Sequence, residues 1–283
     1  MRRFTSPFLR IAFREIRRIS TEPVYPFCMF LLPLACCLFF TSLMEDNIIQ
    51  ATANEGNMAR PLPQAIVIAT SATGTSRLDY AVYLSNTILP GILMTVIMLT
   101  TVYSLGTELK YNTARQWFST ANHDFLTALS GKLFPHTLIF LTVVLSLDAC
   151  LYGLLHYPCH CGIPTLLLLA TLLVLSSQAL GVFFFALFPS LRLALNLSSL
   201  WGIASFSISG FTFPVTSMPS CLQALCNLFP LRHYFLLHAS QAFNGSPLHY
   251  AWLPIAALSA FIALPLLFIP RLRSALLTYC YIP

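Results

Sequence analysis

Six long stretches of this chain, residues 24–44, 84–106, 133–155, 163–188, 193–213 and 252–269, carry a single charged side chain between them, Asp148. A helix needs about 20 apolar residues to cross the hydrocarbon core of a bilayer, and each stretch is about that long. Backbone polar groups have no water to bond inside lipid, so a segment of this kind has to close its hydrogen bonds on itself, as a helix does. The whole chain is 57% hydrophobic and 8% charged, against roughly 25% charged residues in soluble domains. The expected fold is an all-α integral membrane protein with six transmembrane helices in one domain, residues 1–283. Pro33, Pro90 and Pro265 fall inside spans, where neighbouring helices can re-satisfy the freed carbonyls.

Six spans place both termini on one side. That side would hold Arg2, Arg3, Arg10, Arg14, Arg17, Arg18, Lys110, Arg115, Lys132, Arg192, Arg271 and Arg273, twelve of the fifteen basic residues, leaving Arg60, Arg77 and Arg232 opposite. The positive-inside rule then predicts cytoplasmic termini and a multi-pass protein of the cytoplasmic (inner) membrane. The arginines continue to Arg18 with no small-residue cleavage site close behind, so the first span is expected to stay as an anchor.

Residues 4–22 read as an amphipathic helix lying on the cytoplasmic surface. Ser6 is its predicted N-cap and Pro7 its first helical residue. Phe8, Ala12, Ile16 and Ile19 share one predicted face with Phe13 beside it, and Arg10, Arg14, Arg17 and Arg18 the other. Such a helix rests in the plane of the lipid bilayer interface. Residues 107–132 form the longest cytoplasmic connection, mixing Glu108, Arg115 and Lys132 with Trp117, Phe118, Phe125 and Leu126. Those four apolar residues are expected to pack into a groove on another protein.

On the outer side, residues 45–83 form a short linker whose polar part runs from Glu45 to Asp79. Residues 214–250 are too apolar for a solvated loop and too interrupted, by Pro214, Pro219, Pro230 and Pro247, for one span. Short re-entrant outer helices before span six are predicted there.

No nucleotide-hydrolysing motif is present. Gly131-Lys132 lacks the glycine that a P-loop requires at position 126, which is Leu, and position 133 is Leu rather than Ser or Thr. No catalytic, cofactor-binding or metal-binding residues are expected. His156, Cys159, His160 and Cys161 cluster in a short outer turn, but a single Cys-x-Cys pair without a second pair favours packing over metal binding. The nine cysteines form no dense disulfide framework. Asp148, the one acid well inside a span, is a candidate pathway residue that lines a cavity or pairs with Arg232, against the plainer alternative of a snorkelling or protonated side chain that only packs.

Four segments carry a family resemblance. They are SNTILPG at 85–91, GTELKYNTARQW leading to SGKLFPH across 106–136, SGFTFPVTSMPSCLQALCNLFPLRHYF at 209–235, and FNG at 243–245. With the span pattern they resemble type-2 ABC exporter permeases over nearly the whole chain. The resemblance implies a dimer, with a second copy or a paralogous permease, bound to separate ABC ATP-binding subunits that hold and hydrolyse ATP. The chain itself would be no enzyme and hold no cofactor. Arg14, Arg17, Glu108, Arg115 and Lys132 would belong to the ATPase-coupling surface, and Pro214, Met218, Pro219, Pro230 and Arg232 to an outer gate. The expected activity is export of a hydrophobic or lipid-like substrate or drug. A periplasmic adaptor is a further candidate partner, and no nucleic acid is expected. Larger members carry an outer domain where this chain has only the short linker, so a degenerate, non-transporting scaffold that binds a partner ATPase is the alternative.

Overall fold

The computed structural model describes residues 6–27, 78–154, 156–157, 159–210 and 218–278, together with Ala35 and Val215. Most of the expected first span, the outer linker up to residue 77, and Pro214 lie outside the described residues. Every element within them is helical. Among the described residues, five helical segments are long and apolar enough to cross a membrane.

Helix α1, Pro7–Thr21, is started as its sequence requires: the Ser6 side chain accepts from the Leu9 N–H at 3.4 Å, with Pro7 in the first turn. A single turn, Val24–Pro26, follows. Helix α2 spans Leu78–Lys110, longer at both ends than the apolar stretch suggested, and takes in Pro90 and the last six residues of the expected linker. Asn112, at φ 54°, turns the chain sharply into the short helix α3, Ala114–Thr120. Asn122 and His123 are also left-handed, and Asp124 then caps α4, Phe125–Asp148, by accepting from the N–H groups of Leu126 and Thr127 at 3.3 Å. A π-helical stretch, Ala149–Leu154, extends α4.

Helices α5, Ile163–Leu187, and α6, Leu191–Ile208, follow. Next come two helices too short to cross a membrane, α7, Ser220–Cys226, and α8, Pro230–His238, the second running into a π-helical stretch, Ala239–Phe243. The last span, Leu248–Leu277, is composite. Its core is α9, Trp252–Ala263, then a 3-10 segment, Leu264–Phe268, then α10, Ile269–Thr278. Pro265 has no N–H for an α-helical bond, and the tighter winding begins beside it.

The centre of the bundle is α5, apolar all round, packed against α2, α4, α8 and α9. Helix α2 lies between α5 and α6. Between helices in lipid, close approach through small residues replaces the hydrophobic driving force, and the glycines show it. A Cβ on Gly181 of α5 would sit 2.8 Å from the Met98 carbonyl oxygen of α2, and one on Gly202 of α6 would sit 2.6 Å from the Thr95 side chain. Two buried hydroxyls along α2 are satisfied within the helix; Thr100 donates to the Val96 carbonyl at 2.8 Å and Thr101 to that of Ile97 at 2.7 Å.

Candidate functional site

Helix α1 lies against α4 and α3, with three kinds of surface around its circumference. Ile11, Ala12, Glu15 and Ile19 are buried. Leu9, Phe13 and Ile16 form an exposed apolar strip, and Arg10 and Arg17 are exposed beyond it. The expected apolar face is divided: Ala12 and Ile19 are buried against the protein while Ile16 is 50% exposed, and the sector facing the protein is centred toward Ile11 and Glu15. This phase places a carboxylate in the middle of the buried stripe because α4 offers it a cation.

That cation is Lys132, a fully buried side chain about two turns into α4. Its Nζ lies 2.8 Å from Glu15 Oε2 and 2.9 Å from Oε1 of Glu108, near the end of α2. Glu108 is also fully buried. The same Glu108 oxygen meets Arg14 at 2.5 Å and Arg18 at 3.2 Å, and its second oxygen accepts from the Thr113 hydroxyl. Glu15 Oε1 accepts from Ser104 at 2.8 Å and lies 3.1 Å from His136 Nε2. At the edge, Arg18 donates to Glu22 at 3.0 Å, and Tyr103 donates to the other Glu22 oxygen at 3.3 Å. Lys132 also sits over the Trp117 ring of α3 at 5.6 Å.

With His136 neutral, Glu15, Glu22 and Glu108 balance Arg14, Arg18 and Lys132 charge for charge. Burial alone would push the Glu15 carboxyl up, but the Lys132 ammonium and the contact with His136 outweigh it and hold the carboxyl far below the usual range. Removing one partner from such a buried set costs about 3–5 kcal/mol, because a charge is left without its counterpart. The cluster therefore fixes the relative positions of α1, the end of α2, and the start of α4.

The structure brings together Arg14, Glu108 and Lys132 from the residues singled out in the sequence. Arg17 and Arg115 stay outside the cluster, exposed on α1 and α3. Glu15, Arg18, Glu22 and His136 complete it and were not anticipated. The aromatic residues of the connection also differ from expectation. Trp117, Phe118 and Phe125 are buried within the chain, because α3 folds back onto α1, α4 and α10, and only Leu126 of the four is exposed. What α3 presents outward is Arg115, Gln116 and Ser119.

At the other end of the bundle, Pro219 precedes α7, Pro230 is buried in the first turn of α8, and Met218 is half-buried, with its carbonyl accepting from Gln223 at 2.8 Å. Arg232 donates to the Ser209 carbonyl at 3.4 Å. Arg232 and Asp148 form no ion pair; Asp148 lines a small cavity with Asn86, Tyr234 and His238. Tyr152, in the π-helical stretch after α4, bonds to Asn86 Oδ1 and to His238 Nε2, each at 3.0 Å. Of the histidine–cysteine turn, the Cys159 and Cys161 thiols are free and 3.2 Å apart, and the His160 N–H donates to the Ala242 carbonyl. Among the described residues no three such side chains converge as a metal site would require.

No curated protein matches the chain. The model of the family described as ABC-2 family transporter protein matches residues 38–269, which take in α2 to α9 and leave α1 outside, and the chain belongs to that family.

Proposed function

We propose that this chain is the membrane-spanning permease subunit of an ATP-driven exporter, whose ATP is bound and hydrolysed by a separate ABC subunit, and that the ion cluster around Glu108 and Lys132 is its coupling element. The observation that carries this reading is the position of the cluster. It joins an interfacial helix, the end of one span and the start of the next, directly beneath a short helix that turns a polar face outward. A force applied at α3 by an ATPase would reach three elements at once through contacts that exclude water.

On this reading the cluster faces the cytoplasm, as the excess of Lys and Arg there favours. Residues 24–44 complete six spans, α7 and α8 form a re-entrant outer hairpin, and two permeases pair around the pathway. The apolar lining and the scarcity of charge favour a hydrophobic or lipid-like cargo over a polyanion. A periplasmic adaptor remains a candidate partner at the outer side. The exposed Arg17 and Arg115 supply ATPase-facing charge that the cluster itself does not need.

Co-reconstitution with a candidate ABC ATP-binding subunit, sought first in the neighbouring reading frames, tests the reading. The permease is expected to co-purify with that subunit, raise its ATPase rate and drive ATP-dependent efflux of a hydrophobic dye. Partner binding with neither stimulation nor efflux would instead identify a non-transporting scaffold.

A further inference from the structure

We propose that a groove on the flank of the bundle, between α4, α5 and the segment Ile262–Ile269, binds a neutral amphiphile drawn from the bilayer and seats its one uncharged oxygen against the side-chain amide of Gln178. The groove encloses about 390 Å³, within the range of small-molecule sites. Leu129, Leu133, Leu175, Val182 and Pro265 are among its walls, and no charged side chain lines it. Leu126, Phe134 and Leu266 stand exposed at its rim. Phe8 of α1 closes one end, its ring 5.3 Å from that of Phe134.

One polar side chain in this lining is out of balance. Gln178 is 3% exposed, and one end of its side-chain amide meets the Thr137 hydroxyl at 2.8 Å, which also reaches the Leu133 carbonyl at 3.0 Å, while the other end has no hydrogen-bond partner whichever way the amide is turned. A buried amide end left unmatched carries a desolvation penalty, which a ligand hydroxyl, able to donate or accept, would remove.

The surroundings decide what kind of molecule carries that oxygen. The three walls belong to segments long and apolar enough to span a bilayer, so the phase at the mouth of the groove is lipid. Gln178 lies nine residues before the end of α5 at Leu187, about 13 Å along the helix axis at 1.5 Å per residue. A charged headgroup at that depth would meet neither a counter-ion nor water. The occupant is therefore an apolar body with a hydroxyl group, and not an anionic lipid head or a soluble metabolite.

The test uses the full chain in lipid nanodiscs and two photoreactive probes: a long-chain alcohol bearing a mid-chain diazirine, and the matched alkane. After irradiation, adducts are mapped by peptide mass spectrometry. The alcohol is expected to label the groove segments of α4, α5 and Ile262–Ile269 about fivefold more than the alkane, the ratio that a net hydrogen bond of about 1 kcal/mol gives. Gln178→Leu should bring the alcohol down to the level of the alkane. Leu266→Trp, at an exposed rim position that tolerates substitution, should lower both. Equal labelling by the two probes in the unaltered protein would mark a plain lipid-facing surface and overturn the proposal. So would a groove that neither probe reaches while both label the rest of α4, since another part of the chain would then fill it. The experiment needs neither ATP nor a partner subunit, so its failure leaves the export reading untouched.

Discussion

Glu15 of α1 and Lys132 of α4 meet at 2.8 Å with at most 1% of either side chain exposed, 117 residues apart in sequence. In a chain with only nine acidic residues, gathering three of them at one end of the bundle is a large commitment of charge. Continuum and mutational experience with buried ion pairs attributes to them positional definition more than net stability.

Lys132→Met should therefore destabilise the protein by about 3–5 kcal/mol, because Glu15 is left buried without its cation. Glu15→Leu combined with Lys132→Met should recover a large part of that loss, since Glu108 keeps Arg14 and Arg18. Thermal unfolding in detergent, followed by Trp117 fluorescence with Trp201 and Trp252 changed to Phe, measures both. Additive effects of the two substitutions would contradict the coupling.

The pH dependence follows from the depressed Glu15 carboxyl. A group whose folded pKa lies below its unfolded value contributes stability that is complete above the unfolded pKa and is lost as pH falls through the folded one. The reference glutamate value is about 4.3, so the Glu15 contribution should be complete at pH 6 and decline only below about pH 5. Comparing unfolding of the unaltered protein with that of Glu15→Gln between pH 7 and pH 3 gives the test. The difference between them should be flat to about pH 5 and shrink below it.

Arg14 and Arg17 separate structure from coupling. Arg14→Ala removes a contact to buried Glu108 and should lower stability measurably, while Arg17→Ala and Arg115→Ala, at exposed positions, should stay within about 0.5 kcal/mol. If the proposed coupling role holds, the same two exposed changes lower partner ATPase stimulation several-fold without altering the amount of protein in the membrane. Stimulation that is unchanged in the Arg17/Arg115 double variant would remove those residues from the docking surface.

Gly181→Ala drives a Cβ to within 2.8 Å of the Met98 carbonyl oxygen, a backbone atom that cannot swing aside. Overpacking of this kind costs about 1–3 kcal/mol. Gly153→Ala, where nothing lies within 4 Å, serves as the control and should be close to neutral. Melting temperatures of the two variants in one detergent decide the point.

Cys221 is exposed and Cys226 is fully buried. With the remaining cysteines replaced by Ser, a membrane-impermeant maleimide should label Cys221 from the side opposite the termini, and a chain whose sole cysteine is Cys226 should label at least tenfold more slowly, the protection expected of a closed, buried site. Reaction of Cys221 only from the side of α1 would reverse the proposed orientation.

Much of the bundle was readable from charge-free apolar runs, and the reasons for the errors are physical. Helix α2 runs on to Lys110, and α4 begins at Phe125 rather than at 133, because Glu108 and Lys132 neutralise each other and need not mark the membrane boundary. A reading that ends spans at charges cannot see a pair that forms only after folding. Glu15 was hidden for a related reason: on an arginine-rich helix it looked like one more surface charge. The available signal was its place on the wheel, one turn from Ile11 and Ile19. The family resemblance names Arg17 and Arg115 together with Arg14, Glu108 and Lys132, and only the folded structure separates those two exposed side chains from the buried cluster. His136 gave no warning, since a lone histidine in an apolar span most often just packs.

A single oxygen, Oε1 of Glu108, takes the charge of Arg14, Arg18 and Lys132 together. This oxygen is a pin on α2, and the three struts it holds come from two other helices, two from α1 and one from α4. If α1 slides, only its two arginines are strained against the pin; if the end of α2 tilts, all three contacts change together. A displacement entering at the end of α2 therefore reaches α1 and α4 at once.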